Sequence, residues 1–187
     1  MAAASVRVLI LLLAVSISSL RRAAAATITV EEACQKHTKK PEFCVKALSA
    51  ANPEMKAAAV QGGLPGMAEL ALSLATQRGG ETVTFVKGLA NMPGGMPPEC
   101  LEECVGKFQE VVTELQRSKV AMAQTKDAAG VQKWLAEAAK DGDTCMHTCH
   151  RVEGGGELKI VDKISDLTDM FSIALSLVDA SVHNPTA

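Results

Sequence analysis

The stretch CLEECVGKFQEVVTELQRSKVAMAQTKDAAGVQKWLAEAAKDGDTCMHTC, residues 100–149, carries a C-x3-C pair at each end. Cys100 and Cys104 are four residues apart, as are Cys145 and Cys149, so each pair shares one face if its segment is helical. Cys100, Cys104, Phe108, Val111, Leu115 and Met122 recur at three-, four- or seven-residue spacing. That period predicts one long amphipathic helix over residues 99–124. Val131, Leu135, Ala138, Cys145 and Cys149 predict a second helix over residues 128–152. Between the two, Thr125-Lys126-Asp127 reads as a turn with a capping side chain.

Folding the two helices back about that turn sets the cysteine register. The pairs Cys104–Cys145 and Cys100–Cys149 are both centred between Gln124 and Thr125, beside the turn. The spacing therefore predicts two disulfide rungs one helical turn apart. Pairing Cys100 with Cys145 instead would require a four-residue slip. Cys34 and Cys44 are then left to each other. Each bridge is worth about 2–4 kcal/mol, less for the second rung because the first has already closed the loop. The rival reading of the four cysteines is a zinc site with His147 and His150 nearby. An oxidising compartment disfavours it, so no metal is expected.

Outward from this pair, residues 157–182 place Ile160, Ile164, Leu167, Phe171, Ala174 and Val178 on one apolar face, after a break at Gly154-Gly155-Gly156. Residues 67–90 also read as helix, although Gly79-Gly80 interrupts them at about 1 kcal/mol each relative to alanine. NMPGGMPP, residues 91–98, is a strong break, and ANPEMKAAAVQGGLPG, residues 51–66, carries the proline and glycine cues of a connector. Residues 28–50 form a hairpin with a cysteine near each end, and Pro41 is placed to start its second short helix. The apolar stripes are read as core. The expected fold is all-α: an antiparallel four-helix bundle over residues 65–182 with an N-terminal helical hairpin extension, tied by disulfides. Residues 183–187 are a tail.

Composition points the same way. Hydrophobic residues make up 48% and aromatics 3%, with no tyrosine, so the core is built from Ala, Val, Leu, Ile and Met. Such side chains suit close-packed helices better than sheet. The shortage of aromatics disfavours base-stacking platforms. At the N-terminus, Arg7 precedes the apolar run VLILLLAV at residues 8–15, and four alanines follow at residues 23–26. This is the pattern of a secretory signal over residues 1–26, too short for a bilayer span of about 20 residues. No membrane attachment is expected after its removal. The 19 basic residues include Arg7, Arg21 and Arg22, so cleavage leaves 16 against 21 acidic residues, a balance of −5. An acidic surface disfavours nucleic acid and is compatible with a basic protein partner. The sequence holds no G-x-S-x-G, no H-E-x-x-H and no glycine-rich phosphate loop, and no catalytic residue or cofactor is expected.

Three segments resemble the plant invertase and pectin methylesterase inhibitor family, together spanning about residues 28–182. CQKHTKKPEFC, residues 34–44, is similar to the family's C…T-x-x-P-x-F-C hairpin, one residue longer than the commonest spacing. CVGKFQEVVTEL, residues 104–115, resembles the C-x-E-x-Y helix with its later A-V-x-x-L, with Lys107 and Phe108 near the usual leucine and tyrosine and Gly106 replacing the acid. VQKWLAEAA, residues 131–139, followed by Asp143-Thr144-Cys145, closely resembles V-x-x-W-L-S-A-A-L…D-T-C. The resemblance places the family's inter-helix disulfide on Cys104 and Cys145. Cys100 and Cys149 depart from a family that needs only four cysteines.

The resemblance implies a non-enzymatic inhibitor that docks one to one on its target and blocks the substrate cleft. The implied partner is pectin methylesterase. The alternative is acid invertase, whose inhibitors resemble one another in a P-K-F motif that is absent here. A non-inhibitory structural or signalling bundle of the cell wall is the remaining class. The expected location is the apoplast or cell wall, with the vacuole as the other destination. Glu103, Glu110, Glu114, Lys133, Glu137 and Asp141 lie off the apolar stripes of the tied helices and are the candidate interface.

Overall fold

The computed structural model of the chain describes residues 27–92, 96–125, 127–149 and 155–184, the side chains at 146, 148–149 and 155–159 excepted. The leader at residues 1–26 and the last three residues of the tail lie outside the described residues.

The described residues form helices joined by short connections, with no strand among them. α1 is Val30–His37 and α2 is Pro41–Ser49. α3 is Pro53–Gln61 and α4 is Gly63–Leu89. α5 is Pro98–Gln124, α6 is Ala128–Cys149 and α7 is Gly155–His183. Local chemistry sets several of the starts. Thr29 Oγ1 accepts the Glu32 amide at 3.1 Å to cap α1, and Pro41 and Pro98 open α2 and α5.

Helices α4, α5, α6 and α7 close a bundle in which α5 packs on α4 and α6, and α7 on α4 and α6. The most extensive helix–helix contact is between α5 and α6, the pair joined by the short turn and by the Cys104–Cys145 disulfide, with a Cα–Cα distance of 4.7 Å. Phe108, Leu115, Leu72, Met170, Ile173 and Leu177 are among its fully buried side chains. The polar residues inside satisfy themselves locally. Buried Thr82 and Ser118 donate their hydroxyls to the carbonyls four residues back, Arg78 and Glu114.

The hairpin α1–α2 is closed by Cys34–Cys44, with a Cα–Cα distance of 5.6 Å. It rests on α4 and α7. Lys40 pairs with Asp169 at 2.5 Å, and the Arg78 guanidinium stands 5.7 Å from the centre of the Phe43 ring. A cation over an aromatic face adds electrostatic attraction to the apolar packing.

Two segments differ from the sequence expectation. Residues 51–66 are not a plain connector, because α3 occupies most of them. Asn52 and Pro53, read as loop chemistry, are an N-cap and an N1 proline: Asn52 Oδ1 accepts the Met55 amide at 2.8 Å. The same residue types serve turns and helix starts alike, and the alanines that follow favour helix. Gly63, at φ 61°, turns the chain from α3 into α4. Gly66 lets the two helices meet closely: a Cβ there would stand 2.5 Å from the Ala59 carbonyl oxygen. The second difference is at Gly79-Gly80, where α4 continues unbroken. A Cβ on Gly79 would lie 3.1 Å from Val112 Cγ2, so this glycine sets the approach of α4 to α5.

Candidate functional site

The seam between α5 and α6 carries the candidate interface. Both helices are long and directly cross-linked, so side chains on their outer faces have a stiff base. Cys104 and Cys145 are fully buried beneath it. Cys100 is buried and is not a free thiol. The expected partner side chain, Cys149, lies outside the described residues, and the outer rung with it.

Four of the six candidate residues gather across this seam. Lys107 Nζ stands 2.7 Å from Glu110 Oε2 on its own helix and 3.3 Å from Asp141 Oδ1 on α6. These bonds, Glu110 first, hold the Lys107 ammonium above the usual lysine range. The same contact with Lys107 holds the Glu110 carboxyl below the usual carboxylate range. One turn further along α5, Glu114 is in the opposite state. Burial pushes its carboxyl up, Asp141 and then Glu137 add like-charge repulsion, Arg117 opposes them, and Glu110 adds the smallest push. Glu114 Oε2 is buried with no hydrogen-bond partner. The other two candidates are peripheral. Lys133 is exposed, 4.0 Å from Glu137 on the outer side of α6. Glu103 is exposed and makes no ion pair among the described residues.

Two features were not among the sequence candidates. One is Lys107, the cation inside the acidic seam. Its signal was its position three residues before Glu110 on the same face. The other is a largely apolar cleft of about 540 Å³ at the turn end of the seam, walled by Val120, Ala121 and Trp134, with Thr113, Gln116, Arg117, Gln124, Thr125 and Asp127 completing its lining. Its signal was helical spacing: Trp134, Glu137 and Asp141 follow one stripe of α6, so the only tryptophan shares a face with the carboxylates. Asp127 caps α6 beside the cleft, its Oδ1 accepting the Gly130 amide at 2.9 Å. Gly130 leaves room for the indole, since a Cβ there would stand 3.2 Å from Trp134 Cζ3.

No group of three or more His, Cys, Asp or Glu side chains among the described residues is placed to hold a metal ion. No described helix is long and apolar enough to cross a membrane.

The sequence profile of the family described as "Plant invertase/pectin methylesterase inhibitor" matches residues 28–177. Two solved structures share the fold. One is a mutant form A of a pectin methylesterase inhibitor from Arabidopsis, with a TM-score of 0.61 at 22% identity over 78% of this chain and 92% of that chain. The other is a pectin methylesterase inhibitor from Arabidopsis thaliana, with a TM-score of 0.55 at 21% identity over 85% of this chain and 96% of that chain. At these identities the likeness is one of fold. No curated protein matches the chain.

Proposed function

This chain belongs to the plant invertase/pectin methylesterase inhibitor family, and from that premise we propose that it is a secreted inhibitor of plant pectin methylesterase. It acts by docking one to one over the enzyme's substrate cleft, with the outer face of α5 and α6 as the contact surface. The observation that carries the choice of surface is the Glu114 carboxylate, partly desolvated beside Glu110, Glu137 and Asp141, with one oxygen unpaired. A lysine or arginine brought by a partner would supply the missing charge, and the missing hydrogen bond once the Glu114 side chain turns outward to meet it. The cross-linked helix pair lowers the ordering cost of such docking.

Pectin methylesterase is favoured over acid invertase on two grounds. The V-x-x-W-L pattern at residues 131–135 is nearer that branch, and the P-K-F motif of invertase inhibitors is absent. The leader read at residues 1–26 directs the protein to the apoplast, where the esterase acts, with the vacuole as the destination that would accompany an invertase target.

The test is inhibition of purified plant pectin methylesterase and purified acid invertase, side by side, by the oxidised protein lacking residues 1–26. Inhibition of the esterase alone is expected. Inhibition of invertase alone moves the target to the other branch. Inhibition of neither by a folded sample rejects the inhibitor reading and leaves a structural or signalling bundle of the cell wall.

A further inference from the structure

We propose that the cleft at the turn end of the α5–α6 seam is the anchor pocket of the interface. It receives one apolar side chain of the target enzyme while a lysine or arginine of the same enzyme segment pairs with the acidic seam beside it. The inference rests on the docking reading above and adds the chemistry of the partner's contact.

Three observations carry it. The first is the cleft's wall. Val120 is 53% exposed, the largest fraction among the exposed large hydrophobics of the described residues, and it lines with the half-buried Trp134 an open space of about 540 Å³. Leaving a valine and an indole face in water costs free energy that an apolar guest recovers. Tryptophan and arginine, here Trp134 and Arg117 of the same cleft, are also among the residue types most enriched where interface energy concentrates.

The second observation is continuity. Trp134, Glu137 and Asp141 lie on one stripe of α6, and Asp141 is seven residues from Trp134. At about 1.5 Å per residue the pocket and the far carboxylate are about 10 Å apart along the helix. An extended segment rises about 3.3 Å per residue, so three residues of a partner strand or loop span that distance.

The third observation is charge. Past the pocket the seam presents Glu110, Glu114, Glu137 and Asp141 against Lys107 within it and Lys133 beside Glu137 at its outer edge, with Arg117 at the pocket end. Lys107 contacts Glu110 and Asp141, whereas Glu114 Oε2 has no partner. The complementary guest is therefore apolar at the turn end and cationic towards mid-helix. A second copy of this acidic chain fits that description poorly.

The test compares Val120→Asp, Trp134→Ala and Asp141→Asn with the unaltered protein for binding to purified plant pectin methylesterase, by calorimetry at low and at moderate salt. Val161→Asp is the control, an exposed valine on α7 at the opposite end of the bundle from the cleft. Helicity and melting temperature are recorded for each variant. Val120 is exposed, so its replacement leaves the core intact. Val120→Asp and Trp134→Ala are each expected to weaken binding by about 30-fold or more. Asp141→Asn should weaken it and also flatten its salt dependence, which the uncharged Trp134→Ala should leave unchanged. Val161→Asp should bind as the unaltered protein does.

If Val120→Asp, folded, binds within about threefold of the unaltered protein, the pocket is not the anchor, while the inhibitor reading stands. If the only effect of Val120→Asp is loss of self-association, the occupant is a second copy and the proposal falls. If the unaltered protein binds no esterase, the inhibitor reading and the anchor fall together.

Discussion

Replacing Glu114 with glutamine separates the cost of the acidic seam from its use. In the free protein Glu114 is held partly out of water, among Asp141, Glu137 and Glu110, with one carboxylate oxygen unpaired. Its folded-state pKa is raised, so between the unfolded and folded values the native state binds more protons than the unfolded one. Stability is therefore lost as pH rises through that interval, and the penalty stays in full at pH 7. Below about pH 4 the group is protonated in both states and the penalty vanishes. Leaving a buried polar group unsatisfied costs about 1–3 kcal/mol, more when it is charged, and glutamine removes the charged share of that cost. Glu114 is only part-buried and Arg117 offsets some of the charge, so the low end applies. Glu114→Gln should raise the unfolding free energy at pH 7 by about 1 kcal/mol, or about 2–4 °C in melting temperature for a domain of this size. The gain should fade by pH 3.5. Guanidinium unfolding at both pH values measures it. The same substitution should weaken inhibition, because the neutral amide no longer attracts a partner's cation. A variant less stable than its parent at pH 7 would refute the reasoning, as would an equal gain at both pH values. Either result would mean that the charge is already compensated in the free protein.

Further outcomes follow from the packing and the cross-links. Gly80 faces open space, so Gly80→Ala should stabilise α4 by up to about 1 kcal/mol, whereas Gly79→Ala should gain less or lose, because Val112 must move; calorimetric melting compares the two. Peptide mapping of the unreduced protein should return Cys100 joined to Cys149. With that outer rung in place, replacing both Cys104 and Cys145 by alanine should cost well under the roughly 4 kcal/mol expected for opening a loop with the 41-residue separation of that bridge; loss of the full amount in urea unfolding would mean that no outer rung holds the helices. Asn52→Ala should cost about 1 kcal/mol locally and speed amide exchange in α3, since it removes the cap on the Met55 amide.

The bundle was legible because its determinants are local or covalent. A 3.6-residue period marks which face of a helix is buried, whatever it packs against, and it set α5, α6 and α7 to within a few residues. The turn at residues 125–127 and the even spacing of the cysteines then place α5 against α6, since two helices joined by a short turn have few registers open to them. Helix α3 was hidden by ambiguity in the code itself, since Asn-Pro serves both a turn and a capped helix start. The charged positions off the stripes were nameable, but their states were not. Glu110 and Glu114 are four residues apart on one helix, yet one is held by Lys107 and the other is desolvated beside Asp141. That difference depends on how α6 is rotated and how closely it approaches, which no single-helix pattern contains. The same holds for Trp134, whose spacing placed it on the carboxylate face, while only the approach of Val120 on the neighbouring helix makes that face a cleft. Gly79 and Gly80 are identical as residues and differ only in what stands across from them. The sequence by itself determined the long helices, their order and the pairing of Cys104 with Cys145, because periodicity and chain connection act along the chain. The ion pairs, the desolvation of single carboxylates and the shape of the site were decided by tertiary structure alone, because they are set by distances of a few ångströms between side chains on different helices.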